Sequence, residues 1–306
     1  MTASTMQLTT RLRTWALVAG LTGLLIAFGA LLGGTFLWLF VLIAVAMNAV
    51  GYFHSDKLAL RASRAKPIEE RDAPELYAIA RDLAGRASIP VPRLFVTPGE
   101  QPNAFATGRD PKHAAVALTD GLLTRFETEH IRAVMAHEFA HIRNHDILVS
   151  SIAAMVAGAI SAATSILQLS FLFGGSDDEE SPLGTFGAIV AMILAPIGAL
   201  LLQMGVSRQR EYLADATAAR MLGDGRPLAD ALQQIAGDTA GPLDVPAATA
   251  PMYIVNPLRG EQLGKLFSTH PPMQERVRRL RAYGDTVSVD RPRVGAPRVR
   301  DAARAA

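Results

Sequence analysis

Val134-Met-Ala-His137-Glu138-Phe-Ala-His141-Ile-Arg-Asn-His145-Asp146 is the stretch on which the reading of this 306-residue chain turns. His137 and His141 are four residues apart, so on a helix their imidazoles emerge on the same face. That spacing lets both rings reach a single Zn²⁺, each through one nitrogen about 2.0–2.1 Å from the metal. Glu138 projects beside them, where a carboxylate polarises a water held in the open position of the ion. Alone, the motif also fits a solvated His/Glu helix face, so a third ligand and a substrate groove have to come from elsewhere. His145 lies one further turn along the row, about another 6 Å away, too far for one ion to bind all three rings. The longer H-E-x-x-H-x-x-G-x-x-H pattern is not met, because Asn144 and Ile147 stand where Gly and His are required.

The chain has no cysteine, which excludes disulfides, a thiolate metal site and a Cys nucleophile. Any metal here must use His, Asp or Glu. Net charge is +2, and no basic stripe interleaved with aromatics appears, which argues against nucleic acid as a partner. Apolar residues are concentrated in runs. Two of them, at about 15–32 and 36–52, are separated by Gly33-Gly34-Thr35, and each approaches the length of a bilayer span. A second run so soon after the first favours a membrane hairpin over a cleaved signal peptide. Arg11 and Arg13 before the hairpin, and Lys57, Arg61, Arg64 and Lys66 after it, place both of its ends in the cytoplasm.

Two further runs, at about 147–173 and 183–205, flank an acidic turn around Asp177 to Glu180, with Arg143 and Arg208 at their outer ends. Pro196 inside the second is tolerated in a membrane helix as a kink. The expected organisation has four parts. Residues 1–56 form an N-terminal membrane hairpin, and 57–146 with 206–283 form a cytoplasmic zinc protease domain. Residues 147–205 form an inserted membrane hairpin, and 284–306 a disordered basic tail.

Within the cytoplasmic part, Asp72 reads as the N-cap of a helix that has Pro74 in its first turn and runs to about Arg86. Arg93–Thr97 and Ala114–Leu118 read as two short strands that pair. Thr124 with Glu127 reads as a capping box for the helix carrying His137. A strand edge ahead of such a helix can bind an extended peptide by β-augmentation. Asn103 would then hold a substrate main-chain group, or else is an ordinary turn residue. Past the fourth run, Glu211 and Asp215 are one turn apart, so one carboxylate can ligate zinc while the other orients a ligand histidine. His54, His113 and His130 read as surface residues.

Four stretches together resemble the HtpX-type membrane metalloproteases, relatives of the CAAX-prenyl proteases among the zincins whose third ligand is Glu. They are Pro102-Asn-Ala-Phe-Ala106, His137-Glu-Phe-Ala-His141 with Asp146, Ser207-Arg-Gln-Arg-Glu211-Tyr-Leu-Ala-Asp215, and Phe267-Ser-Thr-His270-Pro-Pro-Met-Gln-Glu-Arg276. The resemblance runs from Arg11 to about Leu280. It implies His137, His141 and Glu211 as ligands of one Zn²⁺ per chain, with Glu138 as general base and acid. It also implies Asp215 behind the ligands, His270 as a catalytic group near the scissile carbonyl, and Asn103 and Arg276 as substrate contacts.

The fold so implied is mainly α with a small β-sheet: a multi-span integral membrane protein with a zincin-like cytoplasmic protease domain. The implied activity is zinc-dependent endopeptidase action on polypeptides in a bacterial-type inner membrane. Its substrates would be membrane proteins above all, and its role the quality control of misfolded or damaged ones. Two rival readings are a non-catalytic membrane scaffold or chaperone partner, and a CAAX-type processing protease.

Overall fold

The computed structural model describes residues 34–152, 208–258 and 271–286, with a few backbone positions between 19 and 30. The expected spans at 15–32, 147–173 and 183–205 therefore lie almost wholly outside the described residues, as does the tail beyond Thr286. Among the described residues, no helix is long and apolar enough to cross a membrane. Residues 36–52 fall within helix α1, Gly34–Ala62, which continues without a break through the expected domain boundary at 56/57. Trp38, Leu42, Val45 and Phe53 stand exposed along it.

The chain then forms strand β1 (Lys66–Pro67) and helix α2 (Pro74–Ala87). Leu76, Ile79, Ala80, Leu83, Ala84 and Ala87 recur at helical spacing and are the residues α2 buries. Its N-cap is Ala73 rather than Asp72, with Pro74 in the first helical position, where a missing N–H costs nothing.

Strands β2 (Arg93–Thr97), β3 (Ala104–Thr107) and β4 (Ala115–Thr119) complete a mixed sheet of order β1-β2-β4-β3. The two strands read from the sequence do pair, and in parallel, Arg93 opposite Ala115 through Thr97 opposite Thr119. A third strand, not read from the sequence, lies between them in the chain and pairs antiparallel to β4 at the sheet's end. It is only four residues long and buried on both faces, so it shows no alternation of polarity to mark it. Alternation splits the sheet into two faces. Leu94, Val96, Ala104, Ala106, Val116 and Leu118 join the main helical core. Phe105, Ala115 and Ala117 form a second cluster with Ala59 and Leu60 of α1 and with Leu243, Met252 and Tyr253.

The expected capping box is not formed. Helix α3 (Asp120–Arg125) is capped by Thr119, whose hydroxyl accepts from the Leu122 N–H. Thr124 lies inside it, donating its hydroxyl to the Asp120 carbonyl at 2.8 Å. Helix α4 (Thr128–Arg143) starts only after Glu127. It is the central element, burying nearly every residue from Ile131 to Ile142 and packing on α2, on β3 and on helices α5 (Arg208–Leu222) and α6 (Arg226–Gly237).

Helix α7 (Met273–Thr286) covers α5 and α6 from the other side. Residues 284–286 of the expected disordered tail thus belong to its last turn. A Cβ on Gly225, at the start of α6, would lie 2.2 Å from the Leu280 carbonyl oxygen of α7. Gly225→Ala should therefore force α7 outward and cost about 1–3 kcal/mol. Denaturant unfolding of the purified variant measures it; an unchanged midpoint would contradict this packing.

Candidate active site

The expected site residues come from helices remote in sequence. Helix α4 supplies His137, Glu138 and His141, and α5 supplies Glu211 and Asp215. Arg276 comes from α7. His270 lies outside the described residues.

His137 Nε2 and His141 Nε2 face each other at 3.1 Å, with their rings edge to face. Glu211 closes the triangle: Oε2 is 3.7 Å from His137 Nε2 and Oε1 is 3.5 Å from His141 Nε2. Each residue offers one ligand atom, and the three lie within 4.8 Å of one another. His145 is not part of this cluster.

Each imidazole is held from behind. His137 Nδ1 donates to Asp215 Oδ1 at 3.0 Å, and His141 Nδ1 donates to Asp146 Oδ2 at 3.2 Å. A carboxylate on the rear nitrogen fixes the ring and turns Nε2 toward the shared centre. Asp146 reaches His141 through a helix ending that the sequence reading did not foresee. Helix α4 does not continue into residue 147. His145 adopts a left-handed conformation (φ 61°), the His145 N–H donates to the Ile142 carbonyl at 3.1 Å, and the Asp146 N–H to the His141 carbonyl at 3.0 Å. This is a Schellman ending with His in the place usually taken by Gly. It folds Asp146 back under its own helix, and a new helix starts at 147.

Arg276 has no exposed surface. Its Nε and one terminal nitrogen donate to the two Asp215 oxygens at 2.9 and 2.7 Å. The other terminal nitrogen lies 3.4 Å from Glu211 Oε2. The guanidinium thus backs the cluster rather than lining an open wall, where a substrate contact was expected. Asn103 is likewise buried and engaged. Its Nδ2 donates to the Val255 carbonyl at 2.8 Å, and its Oδ1 accepts from the Ala104 and Val255 N–H groups at 3.1 and 3.3 Å.

Buried carboxylates outnumber buried cations here: Glu138, Asp146, Glu211 and Asp215 surround the histidines, and Arg276 is the cation among them. His141 registers this imbalance most clearly. Burial disfavours charge on His141, yet the Asp146 hydrogen bond and the nearby Glu211 and Glu138 charges hold its pKa up to about 9. Burial pushes His137 down to about 4 and Glu138 up to about 7. Burial also opposes charge on Asp215, but Arg276 keeps it down at about 2. A divalent cation between the two Nε2 atoms and Glu211 would supply the missing positive charge and displace the His141 proton. The donor set of two imidazoles and a carboxylate suits zinc with an open position.

Removing one partner of a buried ion pair strands the other. Arg276→Met should cost about 3–5 kcal/mol in chemical unfolding. Arg276→Lys should recover only part of this, because an ammonium cannot bridge both Asp215 oxygens. Wild-type stability in both would contradict the pairing.

Comparison with known proteins agrees with this geometry. Residues 70–284 match Peptidase family M48. A protein described as "Protease HtpX homolog" from Pelotomaculum thermopropionicum is 47% identical over 277 residues, covering 89% of this chain and 98% of that one. Proteins of the same description from Syntrophobacter fumaroxidans (46% over 278 residues; 89% and 99% covered) and Thermococcus kodakarensis (45% over 282 residues; 91% and 97%) are similar along their lengths. The crystal structure of S. mikatae Ste24p shares the fold with a TM-score of 0.50 at 19% identity, covering 90% of this chain and 67% of that one. With the family matched over most of its length, and relatives this similar almost end to end, the chain belongs to Peptidase family M48 and is a metalloprotease.

Proposed function

We propose that this metalloprotease is a membrane-anchored, zinc-dependent endopeptidase in which His137, His141 and Glu211 hold one Zn²⁺ and Glu138 is the general base and acid. The observation that carries the proposal is the convergence of His137 Nε2, His141 Nε2 and a Glu211 oxygen, with Glu138 lining the same cavity. Zinc held there would polarise the scissile carbonyl and lower the pKa of a water toward neutrality.

The protein's own groups do the rest. Asp215 and Asp146 keep the imidazoles aimed at the centre. Glu138 lines the cavity beside Ala106 of β3 and, with its pKa raised by burial, takes the proton of the attacking water and delivers it to the leaving amine. Arg276 neutralises Asp215 and steadies Glu211. The role of His270 near the scissile carbonyl rests on the resemblance alone.

Four apolar runs with basic flanks support insertion as two hairpins, 1–56 and 147–205, with the protease domain and both termini cytoplasmic. The exposed apolar residues along α1 support contact with lipid. A centre tethered this way favours membrane polypeptides as substrates and a part in clearing misfolded or damaged ones.

Glu138→Gln should keep bound zinc and lower casein cleavage in detergent by about 10²–10⁴-fold. Chelation should abolish wild-type cleavage, and added Zn²⁺ should restore it. Unchanged turnover in the Gln variant would sink the assigned role. The chain's lack of cysteine makes topology testable. A cysteine at Ser176 should react with an impermeant maleimide in intact spheroplasts, and one at Glu69 only after lysis; the reverse pattern contradicts the proposed orientation.

A further inference from the structure

The cavity holding His137, Glu138, His141 and Glu211 has a volume of only about 30 Å³. That is room for about two waters, too little for a peptide main chain as the walls stand. Part of its wall comes from Pro251, Met252, Tyr253 and Ile254, a segment far from both metal-motif helices in sequence.

This segment lies on the free edge of β3, the end strand of the sheet and the one next to Glu138. The Ile254 N–H donates to the Ala104 carbonyl at 3.0 Å. Both main-chain groups of Val255 are taken by the Asn103 side chain, the carbonyl at 2.8 Å and the N–H at 3.3 Å. The first is the main-chain bond an extended peptide would make on adding to a sheet edge, and the Asn103 side chain takes the place of the next pair. Tyr253 anchors the segment: it is 1% exposed, and its ring packs 4.9 Å from that of Phe105 in the apolar cluster that includes Ala59 and Leu60 of α1.

We infer that residues 251–255 are an autoinhibitory strap, which occupies the substrate's place on β3 and must lift before a polypeptide reaches Glu138. The inference rests on the endopeptidase reading above and adds a gate to it. Because Tyr253 is seated against the end of α1, movement of that helix would reach the gate directly.

Hydrogen exchange on the full chain in detergent, with and without a peptide hydroxamate as the metal-directed probe, tests the strap. The amides of Ile254 and Val255 should exchange at least tenfold faster with the hydroxamate bound, while those of β3 stay protected. Inhibition by the hydroxamate with unchanged exchange at 254–255 overturns the strap and leaves the protease reading intact.

A pair of variants reads the same gate by activity. Ile254→Pro removes the N–H that bonds Ala104, whereas Ile254→Ala removes the side chain and keeps that N–H. The Pro variant should exceed the Ala variant at least fivefold in kcat/KM on a fluorogenic peptide, through a lower KM. Equal values, with both variants folded by circular dichroism, count against the strap. If neither the wild type nor either variant cleaves peptide, with zinc bound and the fold intact, both readings fall together.

Discussion

The Arg276–Asp215 pair, buried where three helices meet, is the interaction on which the rest of the site depends. Asp215 stays ionised in a dry setting because Arg276 lies against both its oxygens. An ionised Asp215 can then hold His137 by Nδ1. Through this chain of contacts α7 fixes α5, and α5 fixes the first histidine of α4. The same guanidinium approaches Glu211, so one cation positions two of the three converging residues. Such an arrangement specifies geometry more than it stabilises the fold, since the desolvation of two charges offsets much of their attraction.

The second histidine is held by different means. His141 depends on Asp146, five residues on, and so on a backbone turn rather than on tertiary packing. A helix that ran on unbroken would carry Asp146 round to another face. The left-handed residue at His145 stops it and brings the carboxylate back. One imidazole is thus held by a neighbouring helix and the other by the end of its own.

Much of this could be read in the sequence, for identifiable reasons. His137, Glu138 and His141 announce themselves because helical spacing alone puts them together. Glu211 and Asp215 could be matched to them because they too are one turn apart, just past the second of two apolar runs in the sequence. Other features were not legible. Strand β3 is made of Ala, Phe and Thr with no alternation of polarity, since both its faces are buried. The burial of Arg276 was hidden because Arg276, Arg278 and Arg279 look alike in sequence. Only α7's packing separates the guanidinium turned inward to Asp215 from those exposed beside Glu275. Asn103 stood out, but its partner is the main chain at Val255, a contact across more than a hundred residues that no local pattern encodes.

The central claim is that a single zinc ion is held by two imidazoles from α4 and one carboxylate from α5. X-ray absorption at the zinc edge of the purified full-length protein tests it most directly. The expected result is one zinc per chain, with two nitrogen scatterers of imidazole character and the remaining ligands oxygen at about 2.0–2.2 Å. Glu211→Ala should lose an oxygen scatterer or the metal itself. A shell of three imidazoles, or a Glu211→Ala spectrum identical to wild type, would contradict the site described.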